Sequence, residues 1–224
     1  MPAYYSKETN TSILYIHIPK CGGGSIEEFF KNNHYRQFMW TAKPWRLSKC
    51  SSQHMHASML ETYLNIDRFD YVFTVVRNPV HRMISEYKWR IKREIAKDGF
   101  NSWYKATREE FEKDNFFSDN HIRPMHEFIT KKCHVFKLEN GLDHLPKTIK
   151  QALQSGKKAV KWDTSVIRNQ KEDLHSKRLA QNPELKERYD NSRPSEQTLQ
   201  DIFKDYENDF KFFDYSMDPK LYLA

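Results

Sequence analysis

Three short stretches of the chain carry residue types able to do chemistry together. The first is Lys20-Cys21-Gly22-Gly23-Gly24-Ser25, which holds three of the six glycines in the sequence. A glycine-rich turn exposes successive backbone N–H groups, and a helix opening behind it adds partial positive charge, so the pair forms a cradle for phosphate. The usual triphosphate loop, GxxxxGK[ST], carries its lysine after the glycines and a hydroxyl for Mg²⁺. Here Lys20 precedes the glycines and no GK[ST] follows, which disfavours an ordinary ATPase or kinase loop.

The second stretch is Arg77-Asn78-Pro79-Val80-His81-Arg82-Met83-Ile84-Ser85. Arginine offers a bidentate fork to phosphate, and Ser85 falls two turns into a helix that starts at Pro79. The third is Gln53-His54-Met55-His56-Ala57-Ser58. Histidine is the side chain whose ordinary pKa suits proton abstraction at neutral pH. A metal pair is disfavoured, because no third ligand lies close in sequence; no residue is assigned to a metal.

These residues need elements that bring them to one place. Ser12-Ile13-Leu14-Tyr15-Ile16-His17-Ile18 is a continuous apolar run rich in β-branched residues, which predicts a strand buried in a parallel sheet. A helix follows through Ile26-Glu27-Glu28-Phe29-Phe30, with the two acids expected in its first turn. Tyr71–Val76 reads as a second buried strand, and Pro79 as the first residue of a helix reaching about Lys97. Residues 34–53 read as a loop and Ala57–Leu64 as a short helix. An amphipathic helical region spans 101–130, His134–Leu138 is a third strand, a helix runs to about Leu153, and 194–213 is helical. Strands alternating with helices predict an α/β fold: a single P-loop-like domain over residues 1–224, its central parallel sheet flanked by helices. Ligands of such sheets bind at the carboxyl ends of the strands, where Lys20 and Arg77 fall.

Composition narrows the class further. The 224 residues carry 37 Lys+Arg against 30 Asp+Glu, a net charge of +7, with 14% aromatics. Mean hydropathy is −0.89, but so many aromatic side chains supply a core and argue against disorder. Residues 79–108 hold eight bases and three acids, 157–178 hold seven and three, and 196–218 reverse the balance with two and seven. Basic stretches of this kind fit an anionic ligand. No apolar run reaches the roughly 18 residues of a membrane span, and no signal peptide is evident. Three scattered cysteines, Cys21, Cys50 and Cys133, offer neither a disulfide framework nor a zinc CxxC pair. A cytoplasmic setting is expected, unless the chain is the catalytic part of an anchored protein. Nothing in the sequence sets an oligomeric state.

The two phosphate stretches together resemble the sulfotransferases that use 3′-phosphoadenosine 5′-phosphosulfate (PAPS). Ile18–Ile26 is similar to their 5′-phosphosulfate loop, and Val75–Tyr87 to their 3′-phosphate motif RxPxxRxxS. Val135–Glu139 resembles the third strand of that family, and Tyr206–Tyr215 its closing helix and tail. The resemblance implies that Lys20 sits near the bridging oxygen of the leaving group. It implies that Lys20, Cys21, Gly22, Gly23, Gly24, Ser25 and Ile26 form the 5′-phosphate site, and that Arg77 and Ser85 hold the 3′-phosphate. Cys21 and Gly24 depart from the hydroxyl residues common there, which leaves fewer hydroxyl contacts. The third stretch is similar to the HxHxS segment of heparan sulfate 2-O-sulfotransferases, which puts the base at His56. The Gln-His pair shared by bacterial relatives falls instead on His54.

The implied reaction moves a sulfuryl group from PAPS to an acceptor hydroxyl, most simply on a carbohydrate, with no metal required, no nucleic-acid partner and no stable membrane insertion. Trp40, Trp45, Trp89 and Trp103 are candidates for a sugar platform or for core. Arg168, Lys171 and Lys177 fall where the family closes a basic loop over its nucleotide, His17 reads as a buried strand histidine, and Glu139 as a substrate-orienting residue or an ion-pair partner. Two rivals remain: a basic protein binding nucleic acid or another polyanion, and a P-loop kinase with an unusual loop.

Overall fold

The apolar runs become strands and the amphipathic stretches become helices. The computed structural model describes residues 2–41, 43–44, 47–155, 162 and 181–223. In chain order the described elements are β1 (Ala3–Ser6), β2 (Thr11–Ile16), α1 (Gly23–Asn32), β3 (Arg36–Phe38), α2 (Ala57–Tyr63), β4 (Tyr71–Val76), α3 (Pro79–Lys92) and α4 (Phe100–Lys113). Then come β5 (His134–Lys137), α5 (Leu145–Ser155), α6 (Pro183–Asp190), α7 (Glu196–Asp205) and α8 (Glu207–Phe212). These residues fall into two compact units: 1–77 with 118–168, and 78–117 with 169–224.

The first unit is built on a five-stranded sheet in the order β3-β1-β2-β4-β5. Its centre is parallel, with Ile13 opposite Tyr71 and Phe73 opposite His134. Every residue of β4 is buried, as expected of a central strand covered on both faces. The one hydroxyl within it, Thr74 Oγ1, donates to the Ile16 carbonyl at 2.6 Å. Sequence reading had no place for β1 and β3. Both pair antiparallel at the β2 edge, Ala3 opposite Leu14 and Phe38, so the parallel core carries an antiparallel margin. Those strands are four and three residues long, too short to show a period of two. Helix α1 buries Ile26, Phe29 and Phe30; Tyr4 stacks on Phe30 with ring centroids 4.2 Å apart, and Trp162 meets Phe29 edge-on at 5.3 Å.

The second unit is helical. Asn78 caps α3 by accepting from the backbone N–H groups of Val80 and His81, with Pro79 in the first turn, as Asn and Pro at these positions favour. The helix stops at Lys92 rather than near Lys97, because the chain turns left-handed at Glu94 (φ 59°). Val80, Met83, Tyr87 and Ile91 form its buried stripe at the 3.6-residue period. Glu86 is fully buried and accepts from Arg90 Nε at 2.7 Å. In α4, Phe100, Trp103 and Tyr104 are buried, and Arg108 pairs with Asp205 of α7 at 3.0 Å. The expected helical region to residue 130 ends at Lys113. Asp114 Oδ1 accepts from the Phe116 N–H instead, the local bond by which Asp competes with a helix.

Candidate functional site

The first unit positions the glycine loop and the histidine stretch. After β2 the chain runs through Lys20 at φ 69° and Gly22 at φ 85°, both left-handed. Glycine adopts this conformation freely, whereas it costs a lysine about 1–2 kcal/mol. Gly22 then caps α1, and a Cβ there would lie 3.1 Å from Leu138 Cδ1. The first turn of α1 contains Gly23, Gly24 and Ser25 and no acid. Glu27 and Glu28 fall one turn later than expected, so no carboxylate opposes an anion at the helix N-terminus. Ser25 and Ile26 are buried, while Gly24 is exposed. Cys21 is fully buried, its Sγ 3.6 Å from the Pro19 carbonyl and 3.9 Å from Met125 Sδ. At the carboxyl end of the neighbouring β4, Arg77 Nη1 lies 3.5 Å from the Lys20 carbonyl. The lysine-first loop and the arginine thus share one end of the parallel sheet.

His17 joins this loop to the histidine stretch. Its ring fills the space a Gly23 side chain would need: a Cβ there would lie 2.1 Å from His17 Nε2. On its other side, His17 Nδ1 is 2.9 Å from the Gln53 side-chain amide and 3.3 Å from Glu27 Oε1, and the ring meets His54 edge-on at 5.2 Å. Burial lowers the pKa of His17, against the opposing pull of Glu27. His17, one residue past the end of β2 rather than within the strand, is therefore a strut between two candidate site segments.

His54 is buried and held from several directions. Its Nδ1 lies 2.8 Å from Asp119 Oδ2. Ser51 donates to Asp119 twice, by its backbone N–H at 2.6 Å and its hydroxyl at 2.7 Å. Asn120 Nδ2 donates to the His54 carbonyl at 2.9 Å, and His121 meets the His54 ring edge-on at 4.8 Å. Burial lowers the pKa of His54, partly offset by the Asp119 hydrogen bond. Burial alone would raise the Asp119 carboxyl, but the bonds from His54 and Ser51 outweigh it and hold the group ionised. The pair is a neutral imidazole whose Nδ1–H faces a carboxylate, which leaves Nε2 as its proton acceptor.

The turn that delivers Asp119 is strained. Ser118, Asp119 and Asn120 have φ of 60°, 55° and 62°. Each left-handed residue costs about 1–2 kcal/mol, least for Asp and Asn. The hydrogen bonds of Asp119 and Asn120 offset that cost only because Ser51 and His54 are in place. No linear pattern marks Asp119, 65 residues from His54, and the sequence reading missed it together with Ser51 and His121. The one local signal was the Ser-Asp-Asn run, a composition that tolerates left-handed backbone.

His56, the other candidate base, caps α2 and is half-buried. Its pKa is lowered by burial and then by the Arg123 charge. Asp119 bonds to His54 and not to His56. Ser85 is half-buried on α3 of the second unit. Trp103 is buried there, Trp89 lies under the Arg93 guanidinium at 4.4 Å, and Trp40 of the first unit is 44% exposed. Glu139 is exposed just past β5. Trp45, Arg168, Lys171 and Lys177 lie outside the described residues.

A parallel sheet whose first central strand enters a helix through a glycine loop defines a P-loop-like α/β domain. Within that class the chain belongs to the sulfotransferase family, whose model matches residues 4–216. No curated protein and no solved structure matches it. Family membership makes it a transferase of sulfuryl groups to a hydroxyl-bearing acceptor. Among the described residues no helix is long and apolar enough to cross a membrane.

Proposed function

We propose that the protein transfers the sulfuryl group of PAPS to a carbohydrate hydroxyl, with His54 as the base and Asp119 as the residue that orients it. The observation that carries this reading is the acid-free, glycine-built N-terminus of α1 behind Lys20, close to Arg77 at the end of β4. The donor set fits the substrate: backbone N–H groups from Gly22 to Ser25 suit the 5′-phosphate, and Arg77 suits the 3′-phosphate, with Ser85 assigned there from the family motif it matches. Cys21 and Ile26 shape the loop from within the core.

In the transfer, the acceptor oxygen forms a bond to sulfur as the bond from sulfur to the 5′-phosphate oxygen breaks. The acceptor proton passes to His54 Nε2, and adenosine 3′,5′-bisphosphate departs. Lys20 stabilises the charge growing on that phosphate oxygen, so catalysis rests on positioning and electrostatics. The Asp119 carboxylate fixes the imidazole tautomer and supports the imidazolium that forms. The exposed Trp40 and Phe38 and the basic surplus favour a sugar acceptor, including one within an acidic polysaccharide.

The test pairs binding with turnover. Adenosine 3′,5′-bisphosphate raises the melting temperature well above the effect of ATP–Mg²⁺, since a ligand of the native state stabilises it by mass action. Labelled PAPS then transfers sulfate to sugar acceptors and not to buffer. A response to ATP–Mg²⁺ with none to the bisphosphate overturns the reading in favour of a kinase. Salt-dependent polyanion binding without any nucleotide effect overturns it in favour of a binding protein.

A further inference from the structure

We propose that His54, Asp119 and His121 form a binding site for a divalent ion of the zinc class, and that the bound ion switches off the base. The inhibitory half rests on the transfer reading above; the binding half stands alone. One ligand atom from each of the three residues lies within 4.8 Å of those of the other two. Zinc bonds of about 2.0–2.1 Å place tetrahedral donors roughly 3.4 Å apart. The pair at 2.8 Å therefore opens slightly, and the wider separations close by about 1.4 Å at most.

The supporting groups are those metal sites need. Orientation of ligands by outer hydrogen bonds is a general requirement, and Ser51 fixes Asp119 with two such bonds while Asn120 fixes the backbone of His54. Successive left-handed residues at 118–120 bring Asp119 and His121 to the same histidine. Two imidazoles with one carboxylate select zinc and its transition-metal neighbours over magnesium or calcium, which prefer oxygen donors. His54 is buried whereas Asp119 and His121 are half-buried, so the ion enters from the Asp119–His121 side. Three protein ligands leave a fourth position for water. The ion takes the place of the Nδ1 proton between His54 and Asp119; that proton moves to Nε2, and a neutral imidazole protonated there no longer accepts one.

Titrating Zn²⁺ into chelator-stripped protein against a chromophoric competitor tests this directly. We expect one saturable equivalent, weakened more than about 100-fold in His121→Ala, a larger loss than an outer-sphere change causes. Cobalt(II) added to the wild type gives d–d absorption of a nitrogen–oxygen site without thiolate charge transfer, a readout that needs no variant. Absent saturable binding, thiolate bands from a cysteine site, or zinc binding unchanged in His121→Ala each overturn the proposal. In the sulfate-transfer assay Zn²⁺ depresses the wild type reversibly with EDTA, and whatever rate His121→Ala retains resists zinc. Wild-type turnover insensitive to bound zinc overturns the inhibitory half. Failure to transfer sulfate under any condition counts against the transfer reading and leaves the metal titration to decide the site.

Discussion

Gly23→Ala adds a methyl group where the His17 ring already stands. The new Cβ would meet His17 Nε2, Cε1 and Cδ2 at 2.1, 2.5 and 2.7 Å, against ordinary carbon contacts of about 3.5–4.0 Å. The ring cannot swing aside cheaply: it is 7% exposed, stacked on Tyr15 at 5.5 Å and bonded to Gln53 at 2.9 Å. Overpacking of this kind costs about 1–3 kcal/mol. For a chain of this size that lowers the melting temperature by about 2–12 °C. Gly99→Ala is the control, because a Cβ at Gly99 meets nothing within 4 Å; it should stay within about 1 kcal/mol. The decisive measurement is a double-mutant cycle with His17→Ala, by urea unfolding. Removing the ring relieves the clash, so the double variant is more stable than the sum of the singles by at least about 1 kcal/mol. Additive losses, or a Gly23→Ala variant that melts like the wild type, would refute the strut assigned to His17.

Other expectations follow from the same geometry. Asp119→Asn lowers kcat by about 10²–10⁴-fold with little change in KM, the range for a general base losing its role; an unchanged kcat removes the dyad and returns the base to His56. Lys20→Ala lowers kcat by about 10²–10³-fold, as for single donors at developing oxyanions, while the bisphosphate still raises the melting temperature; wild-type turnover contradicts the role given to Lys20. Glu86→Ala removes the fully buried carboxylate that half-buried Arg90 pairs with and costs about 3 kcal/mol in unfolding experiments; a loss below about 1 kcal/mol shows the pair to be no more than a surface-type bridge. Tyr222→Phe removes the hydroxyl that accepts from Asn78 at 2.7 Å and costs about 0.5–1.5 kcal/mol, with an unaltered melting curve as the contrary result.

Local patterns wrote the central part of the fold into the sequence. The runs at Ile13–Ile16 and Tyr71–Val76 are apolar on both faces, and a strand with that composition must lie inside a sheet. Pro79 behind Asn78 announces a helix start by its fixed φ and capping side chain. The short strands β1 and β3 were illegible, since three or four residues pair only because a partner edge exists. The helical region past Lys113 was overread, because Phe116 and Phe117 continued the apolar spacing while Asp114 and the left-handed turn broke the backbone.

At the candidate site the division has one physical cause. A glycine triplet, a lysine before it and an arginine ending a strand are contiguous signals, because backbone conformation is governed by neighbouring residues; the sequence alone therefore located the loop and the family resemblance it carries. The partners of His54 are a different matter. Asp119 and His121 reach it only once the 118–120 turn has been held left-handed against the chain's own preference, and the side chains that offset that cost lie 65 or more residues away. The same holds for Gly23: its place in a triplet could be read along the chain, but the reason it must lack a side chain is the His17 ring packed against it, which only the tertiary structure sets there.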